Sequence, residues 1–154
     1  MGTPGFDLSE AHEHFSADCF NNTWGLIDKP DRSKEEDEQM LLLAMSSVWH
    51  WTQREDHTSS NLSVGFWQVS RVHALLERGD EARRYGQMAL EAGERGGSDP
   101  FTIGYAFEAL ARAEAVAGDK TQMAEYLTEA MKAAERVEDE EPKSWLLDDL
   151  KTIG

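Results

Sequence analysis

The chain has 154 residues, of which 40% are hydrophobic and 29% charged, so it can bury the core of one domain or one short helical array but not of two large domains. Thirty acidic residues against fifteen basic ones give a net charge of -15, a field that repels phosphate backbones and anionic membranes and excludes nucleic acid and membrane as expected partners. The single cysteine, Cys19, rules out an internal disulfide framework, and the absence of a leader pattern or a run of about 18 apolar residues completes the expectation of a cytoplasmic protein.

Helix signals follow one another along the chain, and no convincing strand interrupts them. A first helix is expected over about 8–27, where Leu8, His12, Phe15 and Cys19 share one stripe and Phe20, Trp24 and Ile27 mark an adjoining one. After a connection at 28–32, Ser33 and Glu36 form a capping box that opens a second helix running to about Arg54, with Met40, Leu43, Ala44, Ser47 and Trp51 on its stripe. The segment Trp49-His50-Trp51 places apolar surface on more than one side of that helix, so burial between two neighbours is expected. Third and fourth helices over about 61–78 and 81–95 flank a Gly79-Asp80 turn, in which Gly79 accepts positive φ and Asp80 caps the next helix. Asp99-Pro100 restarts helix to about Ala117, Gly118-Asp119 turns the chain, and a sixth helix reaches about Val137. The acidic run Glu138–Glu141 reads as a solvated connection before a short helix opened by Pro142. The expected fold is therefore all-α, a single domain over 1–154 with helix pairs at about 8–54, 61–95 and 100–137 and a last helix at 142–153.

The third and fourth helices repeat in the fifth and sixth with a period of 41 residues: Phe66 matches Phe107, Val69-Ser70 matches Leu110-Ala111, Ala82 matches Met123, Gly86 matches Leu127, and Ala89-Leu90 matches Ala130-Met131. Small residues allow two antiparallel helices to approach where they cross, and bulky ones fill the gap to the next pair. The pattern resembles the tetratricopeptide repeat, with an aromatic, a Leu followed by a small residue, a Gly-Asp turn, and small and bulky residues closing the second helix. The second copy carries it best, while in the first the Gly79-Asp80 turn falls two residues late and Gly86 stands at a usually bulky place. The resemblance covers Leu62 to Ala133 and implies antiparallel pairs stacked as a short right-handed superhelix, with the segment from Pro142 capping its end. A diverged pair would lie at the N-terminus.

It also implies which residues line the inner surface: Val64, Trp67 and Arg71 in the first copy, Tyr105, Glu108 and Arg112 in the second. Two arginines beside an indole and a phenol suit capture of an acidic or carboxylate-ended peptide. The alternative is internal pairing, Glu108 with Arg112 at i, i+4 and Arg71 with a Glu of the next helix. His50 and Arg54, which share a face, and Asn21 in mid-helix are weaker additions to this ligand-binding set.

No catalytic residue, cofactor or metal is expected. His12 and His14 stand about 200° apart on a helix, no His-Glu-x-x-His pair exists, and the glycines at 93–97 follow a helix and lack the Gly-Lys-Ser of a phosphate loop. A metal-dependent enzyme remains an alternative if His14, His50, His57 or His73 converge with Glu10 or Asp18. A purely structural oligomerisation module is a second alternative, since a short stack with five tryptophans has exposed ends through which a homodimer can form. Cys19 is expected to be an inert, buried thiol.

Overall fold

In the computed structural model, residues 2–154 are described, and they form seven α-helices and no strand. These are α1 (Leu8–Ile27), α2 (Lys34–Gln53), α3 (Ser59–Leu75), α4 (Gly79–Arg95), α5 (Pro100–Ala117), α6 (Lys120–Glu135) and α7 (Glu140–Lys151). Five of the starts, those of α1, α2, α3, α5 and α6, follow from short polar side chains that take up the free amides of a first turn. Asp7 accepts from the Glu10 amide at 3.0 Å, Asp99 from Thr102 at 2.8 Å and Asp119 from Gln122 at 3.0 Å. Ser33 and Glu36 form the expected capping box. Thr58 and Asn61 form another, so α3 begins at Ser59, within the segment expected to be a loop. The acidic run is likewise partly helical: Glu140 and Glu141 occupy the first turn of α7, where the helix dipole favours negative charge.

The turn between α3 and α4 differs from the sequence expectation. Gly79 is the first residue of α4, Asp80 lies inside that helix, and the left-handed residue is Glu77 at φ 59°. Gly118, which follows α5, has φ 84° and is the 41-residue equivalent of Glu77. The closing hydrogen bonds match as well, Arg78 N to His73 O at 2.9 Å and Asp119 N to Glu114 O at 3.0 Å, the wrapped C-terminus of a Schellman-type cap. Both copies therefore turn at the same place, and the apparent two-residue lag vanishes. Gly79 serves close approach instead, because a Cβ there would stand 3.1 Å from the Ala117 backbone.

Helices α1 and α2, α3 and α4, and α5 and α6 form antiparallel pairs, and α2 packs on α3, α4 on α5, and α3 on α5. One buried cluster joins Met40, Ala44 and Val48 of α2 to Val69 and Val72 of α3. A second joins Ala89 and Leu90 of α4 to Ala106 and Leu110 of α5. Leu146 and Leu150 of α7 then lie over Ala130 and Ala134 of α6, and Gly104 lets Leu146 in, since a Cβ there would come within 2.5 Å of its Cδ2. The far end of the stack is covered in this way.

Two outcomes check this frame. Leu146→Ala removes a fully buried side chain and should cost about 2–4 kcal/mol in urea unfolding; a cost below about 0.5 kcal/mol would mean that α7 does not cover the stack. Glu77→Gly relieves a side chain in the left-handed region and should stabilise by up to about 1 kcal/mol, whereas a loss of stability would contradict the assigned turn.

Candidate functional site

The inner-facing residues of α1, α3 and α5 build one continuous surface. Trp67 of α3 stands between Trp24 of α1 and Tyr105 of α5, with ring centroids at 5.6 Å and 5.2 Å. Phe20 extends the row beyond Trp24 at 6.5 Å and Phe101 extends it beyond Tyr105 at 5.0 Å. Helical spacing is the cause: Phe20 and Trp24, then Phe101 and Tyr105, are i, i+4 pairs on the same face as Trp67.

Beside this row, Glu108 is wholly buried and carries the densest polar cluster of the molecule. Its Oε2 accepts from the Trp67 indole at 2.7 Å, and its Oε1 accepts from Arg71 Nη1 at 3.1 Å and Arg112 Nε at 2.7 Å. Trp67 and Glu108 occupy equivalent places in the two copies, as do Arg71 and Arg112. The stacking that places α3 against α5 thus brings both guanidinium groups to one carboxylate, the internal pairing weighed against ligand capture above. Arg112 also donates to Thr152 Oγ1 at 2.8 Å and to the Asp149 carbonyl at 3.2 Å, and Tyr105 donates to the Asp149 carboxylate at 2.7 Å. With Asp149 included, two cations meet two anions and the cluster is formally neutral. Burial, then the neighbouring Arg112, lowers the pKa of Arg71, whose Nε is buried without a partner. Burial, then the bond to Asp149, raises that of Tyr105.

Two hollows lie along the aromatic row. One, about 190 Å³, lies between α1, α2 and α3 and is walled by Phe20, Asn21, Trp51 and Val64. The other, about 160 Å³, lies between α3 and α5 and is walled by Val64, Trp67, Phe101 and Tyr105. Val64, which is exposed, belongs to both, and Phe101 leads on to an open cleft of about 690 Å³ flanked by Trp145, Asp99, Glu138 and Asp139. A cavity of about 150 Å³ holds one benzene-sized group, so each small hollow has room for a single apolar side chain and falls short of the volume of a cofactor site.

Of the residues singled out from sequence, Trp67, Arg71, Tyr105, Glu108 and Arg112 come together, and Asn21 joins the same surface one hollow away. His50 and Arg54 turn to α1 instead. His50 Nδ1 lies 2.9 Å from His12 Nδ1, and Arg54 reaches Ser16 Oγ at 3.1 Å while it forks onto Asp56 and lies over the Trp51 ring. Phe20 stands in the sequence only as part of a packing stripe, and Phe101 and Asp149 were not singled out there. The i, i+4 spacing of Phe101 from Tyr105 was a usable signal, whereas Asp149 reaches the site only through the docking of α7. Among the described residues, no three His, Cys, Asp or Glu side chains converge as a metal centre requires, and no helix is long and apolar enough to cross a membrane. Cys19 is buried and its pKa is raised, first by burial and then by Asp18. No family model matches the chain, and no curated protein or solved structure matches it.

Glu108→Ala should destabilise by about 3–5 kcal/mol, because it strands two half-buried like charges; chemical denaturation measures this, and a cost below about 1 kcal/mol would show that the pairing does not hold the site. Acid should also weaken the fold through histidine. Burial, then His12, lowers the pKa of His50, and burial lowers that of His73. The unfolded chain consequently takes up these protons first, and stability is retained above about pH 6.5 and lost as the pH falls below it. Thermal melts at pH 7.5 and 5.5 should show a larger drop for the wild type than for His50→Gln; an equal drop would contradict this.

Proposed function

We propose that the chain is a tetratricopeptide-like, non-enzymatic cytoplasmic module that binds an extended peptide along the surface of α1, α3 and α5. The observation that carries this reading is the pair of single-side-chain hollows that share Val64 along one aromatic row. Extended chains present alternate side chains to one side, and aromatic walls supply contact area with few rotamers to immobilise. Arg71 and Arg112, already neutralised by Glu108 and Asp149, hold the floor of the groove and leave the main grip to apolar side chains. The cleft beyond Phe101 is lined by three carboxylates, Asp99, Glu138 and Asp139, against the single cation Arg136, a balance that favours a neutral or basic residue at that end of the peptide, in keeping with the net charge of -15. The acidic ligand expected from the two arginines would have to compete with Glu108 for them.

Selection from a displayed peptide library on the purified chain tests the proposal. Enriched peptides should carry two apolar side chains, and Val64→Lys, which blocks both hollows from an exposed position, should weaken binding at least about tenfold, or 1.4 kcal/mol. No enrichment, or affinity unchanged in Val64→Lys, would overturn it.

A further inference from the structure

The two ends of the stack are finished differently. Helix α7 covers the last pair, whereas no described element covers the outward side of α1 and α2. On that side Leu8 and Phe15 of α1 and Leu42, Met45 and Trp49 of α2 are all exposed, with Leu42 at 67% and Trp49 at 55%. Helix α2 lies between two neighbours, α1 and α3, as its apolar surface on more than one side implies: Met40, Ala44 and Val48 face α3, Ser47 donates to the Ser16 carbonyl of α1, and the Leu42–Trp49 stripe lies round the helix from both. The aromatic residues among them meet across the seam. His12 lies edge-on to Trp49 at 5.5 Å between centroids, and Phe15 lies 5.4 Å from His50, so the rings bridge the seam between the helices.

We infer that this face is where a second copy of the chain docks. Charge is the first reason. In a molecule of net charge -15, no Asp, Glu, Lys or Arg occurs from Gln39 to Gln53. Two such molecules repel wherever their acidic surfaces meet, and the uncharged α2 stripe, with Glu10, Glu13 and Asp18 of α1 and Glu38 at its borders, is where they can approach most closely. A basic partner would instead gain from the acidic surface elsewhere. Charge depletion with exposed Trp, Phe and Met is also the composition of an interface centre.

Area is the second reason. The five exposed side chains present on the order of 500 Å² of apolar surface. A standard interface buries about 800 Å² per partner, about 65% of it apolar in homodimers, which is the same amount. A two-fold axis across the seam lays α1 of one copy on α2 of its partner, closing a four-helix layer in which each stripe meets the other. The peptide-binding surface faces elsewhere and stays open, so the inference stands apart from the proposed function.

Sedimentation or light scattering of the full chain at about 100 μM, well above a micromolar dissociation constant, tests it. The wild type should have twice the mass of the 17.3 kDa chain. Trp49→Glu should return it to the single-chain mass with unchanged helical circular dichroism, and Leu42→Glu, at the more exposed position, should weaken association at least tenfold if Trp49→Glu misfolds. A wild type of single-chain mass, whatever other proteins it captures, would overturn the inference. So would a dimer that survives in both folded variants.

Discussion

The carboxylate of Glu108 is the constraint on which the rest of the inner surface depends. It is wholly buried, and a buried anion is tolerated only when cations and hydrogen-bond donors surround it. The chain supplies those donors from both repeat copies: an indole and a guanidinium from α3, and a second guanidinium one turn along α5. Satisfying Glu108 therefore fixes the separation and rotation of α3 against α5, and with them the placement of Trp67 beside Tyr105. Through Arg112 and Tyr105 the same cluster holds the end of α7. A second buried carboxylate, Glu114, is forked by Arg83 at 2.6 Å and 2.7 Å and ties α4 to α5 in the same manner. Part of the core at these crossings is all alanine, Ala74, Ala82 and Ala113, which sets helix spacing closely but resists sliding weakly, so the polar clusters add to the register.

Polar register and apolar hollows divide the work of the molecule. Arginines near a concave surface suggest ligand capture when seen in sequence, but here they face inward to their own carboxylates, and the surface left to solvent is aromatic. The chain spends its few cations on its own fold and shows an acidic exterior, with two breaks in it: the row from Phe20 to Phe101 and the outward side of α1 and α2. The first is concave and divided into side-chain-sized hollows; the second is broad and carries no charge along α2 from Gln39 to Gln53. Those shapes suit an extended segment and a flat partner respectively.

Much of this was legible in the sequence, and what was not has physical causes. Capping residues and the 41-residue period marked seven helices and their pairing, because both are local signals. The α3–α4 turn was misplaced because Gly79 looks like a left-handed residue; Glu77 takes that conformation, and Gly79 is glycine because α5 passes too close for a side chain. The groove residues on α3 and α5 were found through the repeat. That Arg71, Trp67 and Arg112 share a single acceptor needed the helix separation, and Asp149 needed the docking of α7, neither of which is written in local spacing. The shared helix face of His50 and Arg54 makes them candidates for the groove, but spacing along one helix does not say which neighbour that face meets, and the rotation of α2 turns them to α1.

A double-mutant cycle between Arg71 and Glu108, each changed to Ala and read as unfolding free energy, tests most directly whether one buried carboxylate joins the two copies. A coupling of about 1.5 kcal/mol or more is the result this structure predicts. Effects that add to within about 0.5 kcal/mol would contradict it and leave the alignment of α3 with α5 to apolar packing alone.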